Sequence, residues 1–336
     1  MSKLIVICGV TGNQGRSVAE TFLKESGWRV RGISRDAEKP ESKALSARGV
    51  EIVEADLNNT ESLKATFQGA HVVFGNTVFP LVQAWTSSPQ LRPNQTIQEW
   101  SYEREVIHGK NLADALAGIN TLEQYIWSTL SNARERSAGR YRHVYHFDSK
   151  GAVVQYMQEV QPEFFTRTSF LQMGLFLSNW KLGSVNIPWQ RREDGVMVLR
   201  MPLYGNRAFP HVLVEETFIY AKALLSAPLG THLLAYSEQM TWSEFVTLWS
   251  KTLGIPAVLE RVTLENMDKL APGGLGLEIG EMHAYASQFT YWGLYPTVVF
   301  PDQFALKGQT TSIEQYIKRE DWTELLNRPP TISCAA

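Results

Sequence analysis

Leu4-Ile5-Val6-Ile7-Cys8-Gly9-Val10-Thr11-Gly12-Asn13-Gln14-Gly15 is the stretch whose reading decides the fold. Leu4–Cys8 is an uninterrupted apolar run, as a parallel strand buried on both faces requires. A helix pattern follows from about Gln14 to Lys24, with Val18, Ala19, Phe22 and Leu23 on one side. Between them Gly9, Gly12 and Gly15 recur three residues apart. A tight turn, a backbone that approaches a pyrophosphate and a helix packed close to its strand each favour a residue without Cβ. The helix N-terminus then offers free N–H groups and its positive dipole end to phosphate. Strand, glycine turn and helix in that order make a dinucleotide-binding signal, which an isolated glycine triplet would not.

Outward from this turn, Val30–Ser34, Val50–Ala55, His71–Gly75, Gln124–Ser128 and Phe164–Ser169 read as further strands. Leu57–Phe67, Gln98–Ala117 and Lys150–Val160 read as helices between them. The alternation predicts an α/β fold: a doubly wound parallel sheet of Rossmann type over residues 1–182. Residues 183–336 read as a smaller α+β substrate-binding domain. It has short β-like runs around Pro188, Pro202 and Pro210, and a helix over Val212–Leu225 that returns to the first domain. Thr241 and Glu244 form a capping-box pattern opening a helix over Trp242–Leu253. Pro80–Thr96 reads as a long loop after the fourth strand, where such folds place a lid or site wall. Residues 262–296 read as irregular or loosely helical.

Composition narrows the function classes. Lys+Arg is 32 against Asp+Glu 34, a net charge of -2, which argues against electrostatic nucleic-acid binding. No apolar run approaches the roughly 20 residues that span a bilayer, and the run before Gly9 is too short for a signal peptide. With only Cys8 and Cys334, neither a disulfide framework nor a zinc cluster is expected. The expected protein is soluble and cytoplasmic, with no membrane partner; its oligomeric state is not legible. Its 10 Trp, 12 Tyr and 15 Phe suggest an apolar pocket as well as a core.

The end of the second strand selects the dinucleotide. Gly32-Ile33-Ser34-Arg35-Asp36 offers a hydroxyl and a planar cation where an NAD site usually presents a carboxylate. Ser34 and Arg35, with Lys39 adding charge, suit a 2′-phosphate and so NADP(H); Asp36 reads as pointing outward. Asp56 and Leu57 are placed on the adenine side, and Asn76 and Thr77 by the diphosphate and nicotinamide ribose.

The glycine turn, Arg35, Ser128-Thr129-Leu130-Ser131 and His146-Phe147-Asp148-Ser149-Lys150-Gly151 together resemble the NmrA-like family of atypical short-chain dehydrogenases, over about residues 3–260. The resemblance implies an NADP(H)-binding Rossmann domain with a smaller C-terminal domain over the nicotinamide end. It puts Gly9, Thr11, Gly12, Asn13, Gln14 and Gly15 on the phosphate loop, Arg35 at the 2′-phosphate and Lys150 at the nicotinamide ribose. Leu171, Gln172 and Met173 would pack beside the nicotinamide. Members of the family are either regulators or redox sensors, or reductases of small molecules that include enzymes of fungal secondary metabolism. Met173-Gly174 stands where the sensors tend to carry Glu-Asn, which leaves a more apolar pocket.

Ordinary short-chain dehydrogenases use Tyr-x-x-x-Lys. Here His146 stands four before Lys150, and Tyr145 is one residue off, turned by about 100° on a helix. Proton donation then falls to Lys150 or His146, unless the substrate needs no acid or nothing is turned over. Ser131 or Thr129 is a candidate to hold a substrate heteroatom, with local backbone bonding as the alternative. Phe79, Trp85, Trp100, Phe170, Met173 and Phe176 are candidate pocket walls for a bulky, flat hydrophobic substrate. The expected activity is an NADPH-dependent reduction of C=N, C=C or C=O in secondary-metabolite, alkaloid-like biosynthesis, with the pocket steering cyclisation of the product. The alternatives are an NADP(H)-sensing regulator without turnover and a non-redox cyclase or lyase that retains NADP.

Overall fold

The computed structural model describes residues 2–182, 188–271, 273–306 and 308–328, without the side chains of residues 82, 83 and 85. Its centre is one parallel sheet of eight strands: β1 (Lys3–Ile7), β2 (Trp28–Ser34), β3 (Glu51–Glu54), β4 (Val72–Gly75), β5 (Gln124–Thr129), β6 (Thr168–Met173), β7 (His232–Ala235) and β8 (Val298–Val299). The spatial order is β8-β7-β6-β5-β4-β1-β2-β3. β1 therefore pairs with β2 on one side (Lys3 opposite Trp28) and with β4 on the other (Ile5 opposite Val72). The chain reverses its winding between β1 and β4, and such a switch point opens a crevice at the carboxyl ends of the strands.

The continuous apolar pattern of β1 has a direct cause. Ile5 and Ile7 pack below the sheet with Val18, Ala19 and Phe22 of α1 (Asn13–Phe22). Leu4, Val6 and Cys8 pack above it with Leu112 and Leu116 of α2 (Ile97–Ala117) and with Val153 and Met157 of α3 (Tyr145–Val160). The helix α4 (Thr217–Leu225) packs under the sheet, with Ile219 and Tyr220 sharing the lower core with α1. A third core belongs to the C-terminal region and joins Tyr141, Val144 and Phe147 to Trp189, Trp242, Trp249 and Tyr285. Among the described residues that region carries one three-stranded sheet and most of a second, whose remaining strand is Leu175–Phe176, with α5 (Trp242–Leu253) opened by the capping box of Thr241 and Glu244. Among the described residues no helix is long and apolar enough to cross a membrane.

Several elements differ from the sequence expectation. The sixth strand is Thr168–Met173, whereas Phe164 lies in a helical turn, Pro162–Phe165. Pro162 at the first helical position, with its fixed φ, makes that turn. Leu171, Gln172 and Met173 are consequently inside the strand. The helix expected from Val212 starts at Thr217, because Phe209–Val212 is a strand. α3 begins five residues earlier than expected, which puts His146 on the same helix as Lys150. Leu81–Ser87 is a helix inside the segment expected to be a loop. Residues 262–296, expected to be irregular, contain Leu264–Leu270 and α6 (Leu275–Phe289). Most of α6 is buried on every side, so it has no amphipathic stripe to betray it.

Candidate active site

β1 enters the glycine turn with Gly9 at φ 66°, and Gly12 is the N-cap residue of α1. Gly12 brings no side chain to the cap, and the first turn holds no carboxylate. The dipole end and first-turn N–H groups of α1 are thus left for an outside anion. Gly15 is where the helix meets the turn. A Cβ there would lie 2.7 Å from Gly9 C and 2.9 Å from Val10 Cα. Since both are backbone atoms, Gly15→Ala is expected to push α1 off the turn. It should weaken dinucleotide binding at least tenfold and lower the melting temperature; calorimetry and a thermal melt check this.

Asn76, just beyond β4, faces this turn, and its Oδ1 is buried with no hydrogen-bond partner among the described residues. An orphaned buried acceptor beside an uncapped helix fits a ligand that carries both hydroxyls and phosphate. Gln14 Oε1 accepts from Ser128 Oγ at 2.9 Å, which ties the phosphate turn to the end of β5. Thr11 is half-buried and Asn13 exposed at the mouth of the turn.

At the end of β2, Ser34 Oγ is engaged locally, with Asp36 O at 2.9 Å and Ser42 Oγ at 3.0 Å. Arg35 and Lys39 are exposed. The Asp56 carboxyl is held below the usual carboxylate range, chiefly by hydrogen bonds from Asn58, with Arg35 and His108 contributing charge. Leu57 packs beside the upper core, and its carbonyl accepts from Asn111 Nδ2 at 2.8 Å.

Lys150 sits in a network that sequence reading did not anticipate. Its Nζ donates to Thr77 O (2.9 Å) and Thr77 Oγ1 (3.2 Å), and pairs with Glu105 Oε1 at 3.0 Å. Glu105 is completely buried on α2; it also accepts from Thr77 Oγ1 (2.8 Å) and Ser149 Oγ (2.5 Å). One carboxylate thereby satisfies two hydroxyls and an ammonium. Glu105 had a faint signal: with Ser101, Gly109, Leu112 and Leu116 it lies on the buried stripe of α2, where an isolated carboxylate needs a cation.

His146 lies one turn before Lys150. Its Nδ1 is 2.8 Å from Glu278 Oε1 of α6, and its ring centroid is 6.1 Å from that of Phe79. His143 pairs in the same way with Glu281 at 2.8 Å. Neither glutamate was legible, since α6 itself was not. Asp148 is buried and accepts from Arg134 N at 3.0 Å; burial pushes its carboxyl up to about 6. Tyr145 turns away from Lys150 and lines a separate cavity of about 360 Å³ with Tyr102, Arg92 and Arg134.

The remaining candidates are dispersed. Ser131 is buried, donating to Tyr291 O (2.9 Å) and accepting from Tyr285 OH (3.1 Å), so it pins the C-terminal region to the sheet. Thr129 and Phe170 line a groove of about 600 Å³ with Phe165, His232 and Tyr295, while Lys150 faces α2 and Trp127. Leu171 and Met173 lie in the lower core, with Phe176 packed against it. Gln172 is buried, bonded through Nε2 to Tyr291 O (3.1 Å) and through Oε1 to His232 Nε2 (3.1 Å). Trp100 is half-buried on α2 beneath Arg104. The side chain of Trp85 lies outside the described residues. Among the described residues, Phe79 is the expected pocket wall brought against the His146 ring.

An eight-stranded parallel sheet with its switch point at β1/β4 and an uncapped glycine turn define a Rossmann-type α/β protein. The NmrA-like family model matches residues 1–325, and the chain belongs to that family. It is 25% identical over 269 residues to the NmrA-like family domain-containing oxidoreductase ptmS of Penicillium ochrochloron, covering 75% of this chain and 73% of that relative. Its fold is similar to that of NmrA, a negative transcriptional regulator, in complex with NAD (TM-score 0.70, 19% identity, 95% of each chain). It is also similar to leucoanthocyanidin reductase from Vitis vinifera in its binary complex with NADPH (TM-score 0.68, 13% identity, 94% of this chain and 98% of that one).

Proposed function

We propose that the protein is an NADPH-dependent reductase of a bulky hydrophobic small molecule in secondary-metabolite, alkaloid-like biosynthesis. The observation that carries this reading is the Lys150–Glu105 pair on α3 and α2, reaching Thr77 beside Asn76 at the strand ends where the glycine turn also opens. Two lines support it: the family contains a named oxidoreductase, and a reductase with bound NADPH shares the fold. Bound NADPH supplies a hydride from its dihydropyridine ring to a C=N, C=C or C=O carbon.

The chain's own groups then have distinct tasks. The first-turn N–H groups of α1, those of Asn13, Gln14 and Gly15, hold the diphosphate, over a turn closed by the Gly12 N–H donating to Gly9 O at 2.9 Å. Arg35, with Lys39 near it, holds the 2′-phosphate as a planar, permanently charged fork. Lys150 is held in place by the Glu105 carboxylate buried against it at 3.0 Å. Its two neutral contacts to Thr77 are exchangeable for ribose hydroxyls. Val78, 71% exposed, and Phe79 form an apolar rim beside His146, which suits a flat hydrophobic substrate.

Calorimetry with NADPH, NADP⁺ and NADH on the wild type and on Arg35→Ala tests the reading. NADPH affinity is expected to fall roughly 10–100-fold in the variant, as for the loss of a charge-assisted contact, while NADH changes little. Equal, negligible binding of all three would remove the proposal. Tight binding without oxidation of NADPH by any electrophile would make the chain a binding protein instead.

A further inference from the structure

We propose that His146, as the imidazolium, gives its Nε2 proton to the bond being reduced, and that Glu278, from the C-terminal region, is the positioning residue that holds the ring through Nδ1–H. The inference rests on the reductase reading above and deepens it.

Lys150 is the first group to consider, and its surroundings argue against it. An ammonium has three donors, and Thr77 O, Thr77 Oγ1 and Glu105 Oε1 stand against them. Even when ribose hydroxyls replace the Thr77 contacts, losing the proton would strand the fully buried Glu105 carboxylate opposite a neutral amine. Lys150 is fully engaged where it stands.

His146 is built otherwise. Glu278 is 1% exposed, and its Oε1 takes two hydrogen bonds from the same residue: from the His146 backbone N at 3.1 Å and from the ring Nδ1 at 2.8 Å. A backbone N–H can only donate, so Oε1 is an acceptor there, and the same oxygen is placed to accept from Nδ1–H. α3 has no side-chain cap of its own, and this contact supplies one. Gripping both backbone and ring fixes the orientation and leaves Nε2 as the free nitrogen. His146 lies four residues before Lys150, on the same helix face and about 6 Å along it. Lys150 reaches Thr77, and the His146 ring faces Phe79, two residues further along the same segment. The ring is therefore one turn beyond the ammonium, beside the apolar rim. The charged groups shown to bear on it are Glu278 from α6 and Asp148 from its own helix.

The step balances. With NADPH bound, hydride would add to carbon and the π electron pair of C=N or C=O would move to the heteroatom. That atom takes the proton from His146 Nε2, which leaves a neutral ring with Nδ1–H still bonded to Glu278. Solvent returns the proton, since the His146 side chain is 22% exposed.

The test uses two acceptors with NADPH. A cationic triphenylmethane dye takes up hydride alone; a neutral aromatic imine needs a proton too. In His146→Phe, the ratio of imine to dye turnover is expected to fall by 10²–10⁴-fold. Glu278→Gln, which keeps an acceptor but removes the charge, is expected to lower the ratio about tenfold. NADPH affinity and melting temperature report folding. Equal loss on both acceptors, or no loss, would overturn the proposal. Nitrogen-detected NMR of the ligand-free protein provides a second reading. Neutral His146 is expected as the Nδ1–H tautomer in the wild type and as a mixture in Glu278→Gln; a predominantly Nε2–H ring in the wild type would overturn the assignment. If the wild type reduces neither acceptor and calorimetry detects no dinucleotide, the reductase reading fails, and the tautomer measurement still decides the dyad.

Discussion

Glu105→Ala is expected to destabilise the protein by about 3–5 kcal/mol and to abolish tight dinucleotide binding. The carboxylate is fully buried, and its removal leaves Lys150 Nζ, Thr77 Oγ1 and Ser149 Oγ without their shared acceptor. An unpaired ammonium next to Trp127 at an 11% exposed side chain has little water to turn to. It is the uncompensated charge, not the lost attraction, that dominates. The double variant Glu105→Leu/Lys150→Met therefore separates the two roles. Replacing both partners with apolar groups should recover most of the stability, while dinucleotide affinity stays low because the ribose loses its cation. Urea unfolding with calorimetry on the three proteins measures both. A Glu105→Ala protein as stable as wild type would mean that the pair is not formed in solution.

The second large effect is acid sensitivity. Burial pulls His211 and His232 down from 6.5 to about 4. His211 is 1% exposed and stacks on Phe245 at 5.4 Å, edge-on to Trp242. The unfolded chain binds a proton on each ring near pH 6.5, whereas the folded chain does so only near pH 4. Between those values the unfolded state holds more protons, so stability is lost as pH falls, by about 3 kcal/mol for each ring. Asp148 has the opposite sign. Its carboxyl is raised from 3.8 to about 6, so the folded state gains protons first and recovers about 3 kcal/mol as pH falls through the same range. Asp56, held low, loses its contribution only below about pH 4. The net expectation is a loss of about 3 kcal/mol between pH 6.5 and pH 4, measured by urea unfolding at several pH values. His211→Phe keeps the stacked ring and removes one of the two histidine contributions, so its stability should be nearly flat over that interval. An unchanged slope in the variant would show that His211 is not the titrating group.

Both effects arise from residues whose importance depends on packing, and the same division runs through the whole molecule. The alternation from β1 to β5 and the phosphate turn were legible because strand, turn and helix are contiguous. Each depends on neighbours in the chain: two-sided burial makes Leu4–Cys8 uniformly apolar, and Gly15 has backbone atoms where a Cβ would sit. Lys150 and His146 were legible for the same reason, being one helical turn apart. The sixth strand was displaced because Phe164 and Phe165, apolar and strand-like, follow a proline that starts a helical turn.

The sequence by itself determined the Rossmann architecture, the glycine turn and the candidate lysine, since these are properties of segments of about a dozen residues whose backbone conformation is set locally. Only the tertiary structure decided what those groups can do. Glu105 reaches Lys150 from 45 residues away and Glu278 reaches His146 from 132, because α2 and α6 happen to pack their buried carboxylates against α3. No local pattern encodes a partner across that distance. A buried charge is tolerable only where folding has delivered its counter-ion, and that pairing holds Lys150 and the ring of His146 in place.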